Sequence, residues 1–226
     1  LAHDSIKAIL FDLGDIFFEA HYWRKYVWKR LRAANVFHGS FTDYYLLYDK
    51  FLIPAYRGDI AYNDCLMSFL LRVGVKDAQN LFAEIMAKKI EFENSRKLFR
   101  CVKKTLEQLK RIGIQNYVLT DNELSGDEVR HRILERYHIN HLLEKVVSSC
   151  DIGYLKSDPR AFLKTLSIIG SAKSTALFVG HDRDEISSAK KAGMTVVEFN
   201  NYLRVNTSAD IKISKFFDLL NIPLIR

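Results

Sequence analysis

The sequence predicts an α/β protein, a doubly wound parallel sheet interrupted after its first strand by a layer of helices. Three observations predict it. The apolar run "AILF", residues 8–11, reads as a buried strand. From about residue 96 onward, helical and strand periodicities alternate as they do in successive βαβ units. Between the two, residues 17–95 carry long, aromatic-rich helical patterns with few strand signals. The expected organisation is an α/β core from residues 1–16 and 96–226 and an inserted helical unit from residues 17–95.

In the insertion, "HYWRKYVWKRLRAAN" places Trp23, Tyr26, Val27 and Leu31 on one helical face, with Arg24, Lys25, Lys29, Arg30 and Arg32 largely elsewhere as a solvated basic face. The aromatic residues of "FTDYYLLYDKFLIPAYRGD" read as the core of the layer, with some available to line a pocket. "RKLFRCVKKTLEQLKRIG" repeats apolar residues at Leu98, Val102, Leu106 and Leu109, stops at Gly113 and feeds the strand "IQNYVLT". A polar helix around "GDEVRHRILERY" precedes the short buried strand "KVVSS". In "SDPRAFLKTLSIIG", Asp158 is placed to cap a helix whose first residue is Pro159. "TALFVG" is a strand, "DEISSAKKAG" a helix closed by Gly193 and "MTVVEF" a further strand; "ADIKI" and "SKFFDLLNI" make a last strand and helix pair.

Composition bounds the function. A chain of 226 residues, 48% hydrophobic, can bury one large core, or one core and a smaller layer. No apolar run approaches the roughly 18 residues of a bilayer span, and no charged-then-apolar leader opens the sequence, so the expectation is a cytoplasmic protein without membrane contact. Cys65, Cys101 and Cys150 are widely spaced with no C-x-x-C, which suits reduced thiols rather than a disulfide frame or a zinc site. His131, His138 and His141 lack metal-ligand spacing and read as surface residues. A net charge of +7 favours anionic ligands, but no nucleic-acid-reading motif accompanies it, so nucleic acid is not the expected partner. Nothing in the pattern sets an oligomeric state.

Ligands of open parallel sheets sit at the carboxyl ends of the strands. Four strand ends here carry polar groups: Asp12 after "AILF", Thr120 after "YVL", Lys156 in the loop after "KVVSS", and "GHDRDE" after "ALFV". If they converge, an acidic nucleophile, a hydroxyl, a lysine and an acidic cluster face one crevice, a combination suited to phosphoryl chemistry.

The order and setting of these residues resemble the haloacid dehalogenase superfamily over nearly the whole chain. "ILFDLGDIF" resembles its first motif with Asp12 as nucleophile, "YVLTDN" the second with Thr120, "DIGYLKSDPRAF" the third with Lys156, and "ALFVGHDRDEISSAKKAGM" the fourth. The resemblance implies a Rossmann-like core with an α-helical cap, and a phosphatase acting on a small phosphorylated metabolite through an aspartyl-phosphate on Asp12. It places substrate contacts at Thr120, Asp121 and Lys156. It implies a magnesium ion, with manganese or another divalent ion as the variant, held by Asp12, the Gly14 carbonyl, Asp182 and Glu185.

Two positions depart from the family pattern. Gly14 stands where most phosphatases of the family carry an aspartate that protonates the leaving alcohol; a positioned acid of that kind is worth about 10²- to 10⁴-fold in rate. The "DLG" opening resembles a branch that includes sugar-phosphate phosphatases. Asp15, one position later, suits a local turn and is a second candidate for the acid. His181 stands where the first acid of the fourth motif is expected, and a neutral imidazole is a poor ligand for a hard cation. Two further readings therefore accompany the phosphatase: a catalytically impaired protein that keeps the crevice to bind a phosphorylated ligand or a partner, and a haloacid dehalogenase, whose halide leaves without a proton.

Overall fold

The computed structural model describes residues 5–20, 22–200 and 207–225; of the expected elements, His21 at the head of the basic helix lies outside them. Six parallel strands form one sheet in the order β3-β2-β1-β4-β5-β6. They are β1 (Ala8–Phe11), β2 (Gln115–Thr120), β3 (Lys145–Ser148), β4 (Ala176–Gly180), β5 (Thr195–Phe199) and β6 (Ile211–Ile213). The central strands read as continuous apolar runs because both faces are covered, as parallel sheets require. Ile9, Phe11, Val118 and Val179 point to one face, where α5 (Val102–Arg111) packs through Val102, Leu106 and Leu109. Ala8, Leu10, Leu119 and Phe178 point to the other, against Phe162 and Leu166 of α8 (Pro159–Ile169) and Ile186 of α9 (Arg183–Lys191). The sheet is doubly wound, as its alternating pattern predicts.

Helix ends follow the sequence signals. The Asp158 side chain accepts from the Arg160 N–H at 2.9 Å, with Pro159 next in line, and Gly193 closes the turn after α9 with φ +85°. Three elements differ. α5 begins at Val102, because Cys101 is left-handed (φ +70°) and ends a turn, and the residues before it are not helical, the Phe99 N–H donating to the Phe17 carbonyl at 2.8 Å. The polar helix has only three α-helical residues, α6 (Gly126–Glu128), before widening into π turns over Val129–Leu134; the wider turn lets adjacent Ile133 and Leu134 both reach the core. The last helix is a 3₁₀ segment, Phe216–Asn221.

Four helices lie between β1 and α5: α1 (Tyr22–Ala33), α2 (Phe41–Tyr56), α3 (Tyr62–Arg72) and α4 (Ala78–Ser95). Trp23, Val27 and Leu31 of α1 pack with Tyr44 and Tyr48 of α2, Phe69 of α3 and Ile85 of α4 in a cluster of their own. Phe17 and Phe18 pack instead with the sheet-side cluster. The layer touches the core away from its chain connections as well: the Ser149 hydroxyl, on α7 (Ser149–Ile152), donates to the Tyr56 carbonyl at 2.6 Å, and Lys89 of α4 pairs with Glu123 at 2.9 Å.

Candidate active site

The carboxyl ends of β1, β2 and β4 and the loop before α8 open into one cavity of about 560 Å³, roofed by the helical layer. Its floor is built on Asp12, the residue after β1. Asp12 is buried, and its Oδ1 accepts from Lys156 Nζ at 2.6 Å while its Oδ2 lies 3.3 Å from His181 Nδ1. Lys156 Nζ also reaches Glu185 Oε1 at 2.7 Å. Burial works to raise the Asp12 pKa, but the Lys156 charge and the His181 contact outweigh it and hold the carboxyl at about 2. Burial would lower His181; the Asp12 contact and the neighbouring carboxylates push it up to about 9. Lys156 is raised well above its ordinary value because its carboxylate neighbours outweigh its burial. Glu185 is pushed up to about 8, by burial first and by Asp12 in addition, against the pull of Lys156. At neutral pH an ionised nucleophile thus lies between two cations.

Thr120 ends β2, buried, and lines the floor. Asp121 follows it, and its carboxylate is committed to the protein: Oδ1 and Oδ2 accept from the Lys156 backbone N–H at 3.0 and 3.3 Å. Asp121 thus helps set the Lys156 loop, and it also lines the cavity. Asp15 sits in a left-handed turn (φ +59°), its N–H donating to the Phe18 carbonyl at 2.7 Å and its Oδ1 accepting from the Ala20 N–H at 3.0 Å. That is the local turn role expected from its place after glycine.

Gly14 has a steric reason as well as a chemical consequence. A Cβ on it would lie 2.7 Å from the Ala20 Cβ, a contact with no flexible side chain to yield. Gly14→Asp is expected to destabilise the protein by about 1–3 kcal/mol without accelerating phosphate release. Adding Ala20→Gly is expected to recover most of that loss, read as urea midpoints; a stable, faster single variant would show that the turn does accommodate an acid.

The cavity wall on the helical layer is basic and phenolic. The Arg24 guanidinium donates to the Tyr45 hydroxyl and stacks 4.9 Å from that ring, with Tyr56 beside it. Burial raises both tyrosines, so they stay neutral, and Asp49 lines the same wall. Lys89 is paired with Glu93 and Glu123, while Arg96 lies 5.2 Å over the Phe18 ring. Periodicity puts Arg24 only among the cations outside the apolar face of α1; its approach to Tyr45 depends on how α2 packs.

The residues that the resemblance assigns to magnesium, Asp12, Gly14, Asp182 and Glu185, all line this cavity, but the side chains among them have other partners. That ion takes about six oxygens in near-octahedral array. Both Asp12 oxygens face cationic side chains, and an imidazole replaces the expected first acid. The Asp182 side chain, on an exposed residue, caps α9, its Oδ1 accepting from the N–H groups of Asp184 at 2.8 Å and Glu185 at 3.3 Å. Among the described residues no three His, Cys, Asp or Glu side chains group to hold a metal ion. Glu185 Oε2 is buried without a hydrogen-bond partner.

An aspartate after the first strand of a doubly wound sheet, a lysine on its carboxylate and a helical layer over the crevice define the class as a haloacid dehalogenase-type α/β fold. Residues 62–199 match the family model of haloacid dehalogenase-like hydrolases, and the chain belongs to that family. A phosphoglycolate phosphatase of Aquifex aeolicus (strain VF5) is 31% identical over 120 residues, 52% of this chain and 55% of that protein. The chain spans about half the length of the curated relatives it matches. Among solved structures, a 2-haloacid dehalogenase from Pseudomonas syringae pv. tomato DC3000 superposes with a TM-score of 0.66 at 22% identity, covering 96% of this chain and 97% of that one. A predicted phosphoglycolate phosphatase from Haemophilus somnus 129PT gives a TM-score of 0.69 at 22% identity, with the same coverage. At these identities the structures speak for the fold.

Proposed function

We propose that this chain hydrolyses the phosphoric monoester of a small anionic metabolite through an aspartyl-phosphate on Asp12. The observation that carries the reading is the floor itself: a buried, ionised carboxylate between Lys156 and His181, open to a cavity of about 560 Å³. An Asp12 oxygen attacks phosphorus and the ester oxygen departs with the electron pair; water then cleaves the acyl phosphate, releasing inorganic phosphate and restoring the carboxylate. Lys156 and His181 draw the phosphoryl charge toward the nucleophile, and the Thr120 hydroxyl donates to a non-transferring oxygen. The helical layer, residues 17–95, serves as the cap that meets the leaving group. Three cysteines free of disulfides fit a reducing compartment, and on that ground we place the protein in the cytoplasm.

The substrate class follows from the cap wall. Arg24 hydrogen-bonds the neutral Tyr45 phenol, with Asp49 as the carboxylate that acts on its charge from the same wall, and its guanidinium suits a carboxylate on the leaving group. The phosphoglycolate phosphatase relative supports this choice. The test is phosphate release from 2-phosphoglycolate and from ethyl phosphate, which lacks the carboxylate. Arg24→Met is expected to raise KM for 2-phosphoglycolate by about 10- to 100-fold and to leave ethyl phosphate unchanged. Equal losses on both esters would remove Arg24 from specificity; no release from any ester, with inorganic phosphate still bound, would favour a binding protein. Gly14 itself supplies no acid for the leaving group, which favours one other reaction on the same floor, displacement of halide from a 2-haloacid. Chloride release from 2-chloropropionate, measured alongside, separates the two.

A further inference from the structure

We infer that Lys156 and His181 occupy the place of a divalent ion, so that this site takes a phosphoryl group without metal. The inference rests on the phosphoryl reading of the cavity and concerns what neutralises the phosphoryl charge there. A cation shared by Asp12 and the acid after β4 would sit where their carboxylate oxygens converge. Lys156 Nζ occupies such a point, at 2.6 Å from Asp12 Oδ1 and 2.7 Å from Glu185 Oε1. The other Asp12 oxygen lies 3.3 Å from His181 Nδ1, and the far ring nitrogen, Nε2, lies 3.8 Å from Asp15 Oδ2. The imidazole thus spans from the nucleophile to the Asp15 turn. Asp182 is turned to the α9 N-terminus, where Asp184 lies in the first turn. Fixed side-chain N–H donors at these places meet phosphate oxygens as charge-assisted hydrogen bonds, the interaction a metal would otherwise replace.

The test needs no natural substrate. Wild-type protein is titrated calorimetrically with magnesium, manganese and zinc chlorides, each alone, with Asp12→Asn as the control for surface sites. Inorganic phosphate is then titrated in chelator and in excess magnesium. The expected result is no metal binding that depends on Asp12, and a phosphate Kd equal within about twofold in the two conditions, since uncoupled ligands leave each other's affinity unchanged. His181→Asp, which installs the carboxylate, is expected to make phosphate binding tighten by about tenfold or more on adding magnesium. His181→Asn, which removes the donor without adding an acid, is expected to weaken phosphate by about tenfold with or without magnesium.

Asp12-dependent binding of any of the three metals, or phosphate affinity in the wild type that rises about tenfold with magnesium, would overturn the inference and leave the phosphatase reading standing. Phosphate bound equally well in chelator, with no ester turned over, would do the reverse. Phosphate bound in neither condition would overturn both.

Discussion

Asp12→Asn is expected to abolish phosphate release, a loss of about 10⁴-fold or more, while leaving a folded protein that still binds inorganic phosphate. The amide matches the carboxylate in shape and lacks the charged oxygen that attacks phosphorus. Its cost to stability follows from the local electrostatics. The folded-state pKa of Asp12, about 2, is depressed from an ordinary 3.8. A depressed carboxyl contributes stability that is present above its unfolded value and is lost as pH falls through the folded one. The contribution is therefore complete at neutral pH and disappears between pH 3.8 and about 2. A shift of that size corresponds to about 2 kcal/mol, which the asparagine forfeits at pH 7. Urea unfolding at pH 7 and again near pH 2 checks this: the variant trails the wild type in the first and draws level in the second. Residual turnover within about tenfold of wild type would remove Asp12 from the nucleophile's role.

Lys156→Met is expected to carry the largest stability penalty, about 3–5 kcal/mol, because it leaves Asp12 facing Glu185 with no ammonium between them. The methionine fills the space of the alkyl stem, so the loss reports charge rather than a cavity. The penalty should shrink in an Asp12→Asn background, where the charge nearest the lysine is already gone, and a double-mutant cycle measures that coupling. Additive losses would show that the lysine contributes packing alone. Turnover falls with stability here, so the cycle is read from urea midpoints.

Much of the fold was legible because parallel strands buried on both faces leave continuous apolar runs, and "AILF", "YVLT" and "ALFVG" are such runs. The start of α5 was not. The spacing of Leu98 and Val102 suits a helix, but Leu98 packs on the core from a non-helical segment whose path is set by the bond from Phe99 to Phe17. Of the site, Asp12, Thr120 and Lys156 were legible from their places at strand ends and in the loop before α8. Asp121 and Asp182 illustrate the limit: an acid beside a turn or a helix start can meet a ligand or a backbone N–H. Which it meets depends on where the carboxylate swings, and here both turn to backbone. His181 was legible as a departure; its span from Asp12 to Asp15 needed the left-handed turn at Asp15, which no local pattern announces.

The place of β1 in the sheet bears on the order of folding. It comes first in the sequence, yet its two partners are residues 115–118 and 176–179, so one edge waits for about half of the chain and the other for most of it. The four helices of the layer close their cluster among residues 23–85 through far shorter loops. Contacts of low sequence separation form early, and those that close long loops wait. The nucleophile rides on the strand that docks late: Asp12 meets His181 only once β4 is beside β1. Slow steps in refolding should thus delay the return of the active site more than the return of helix.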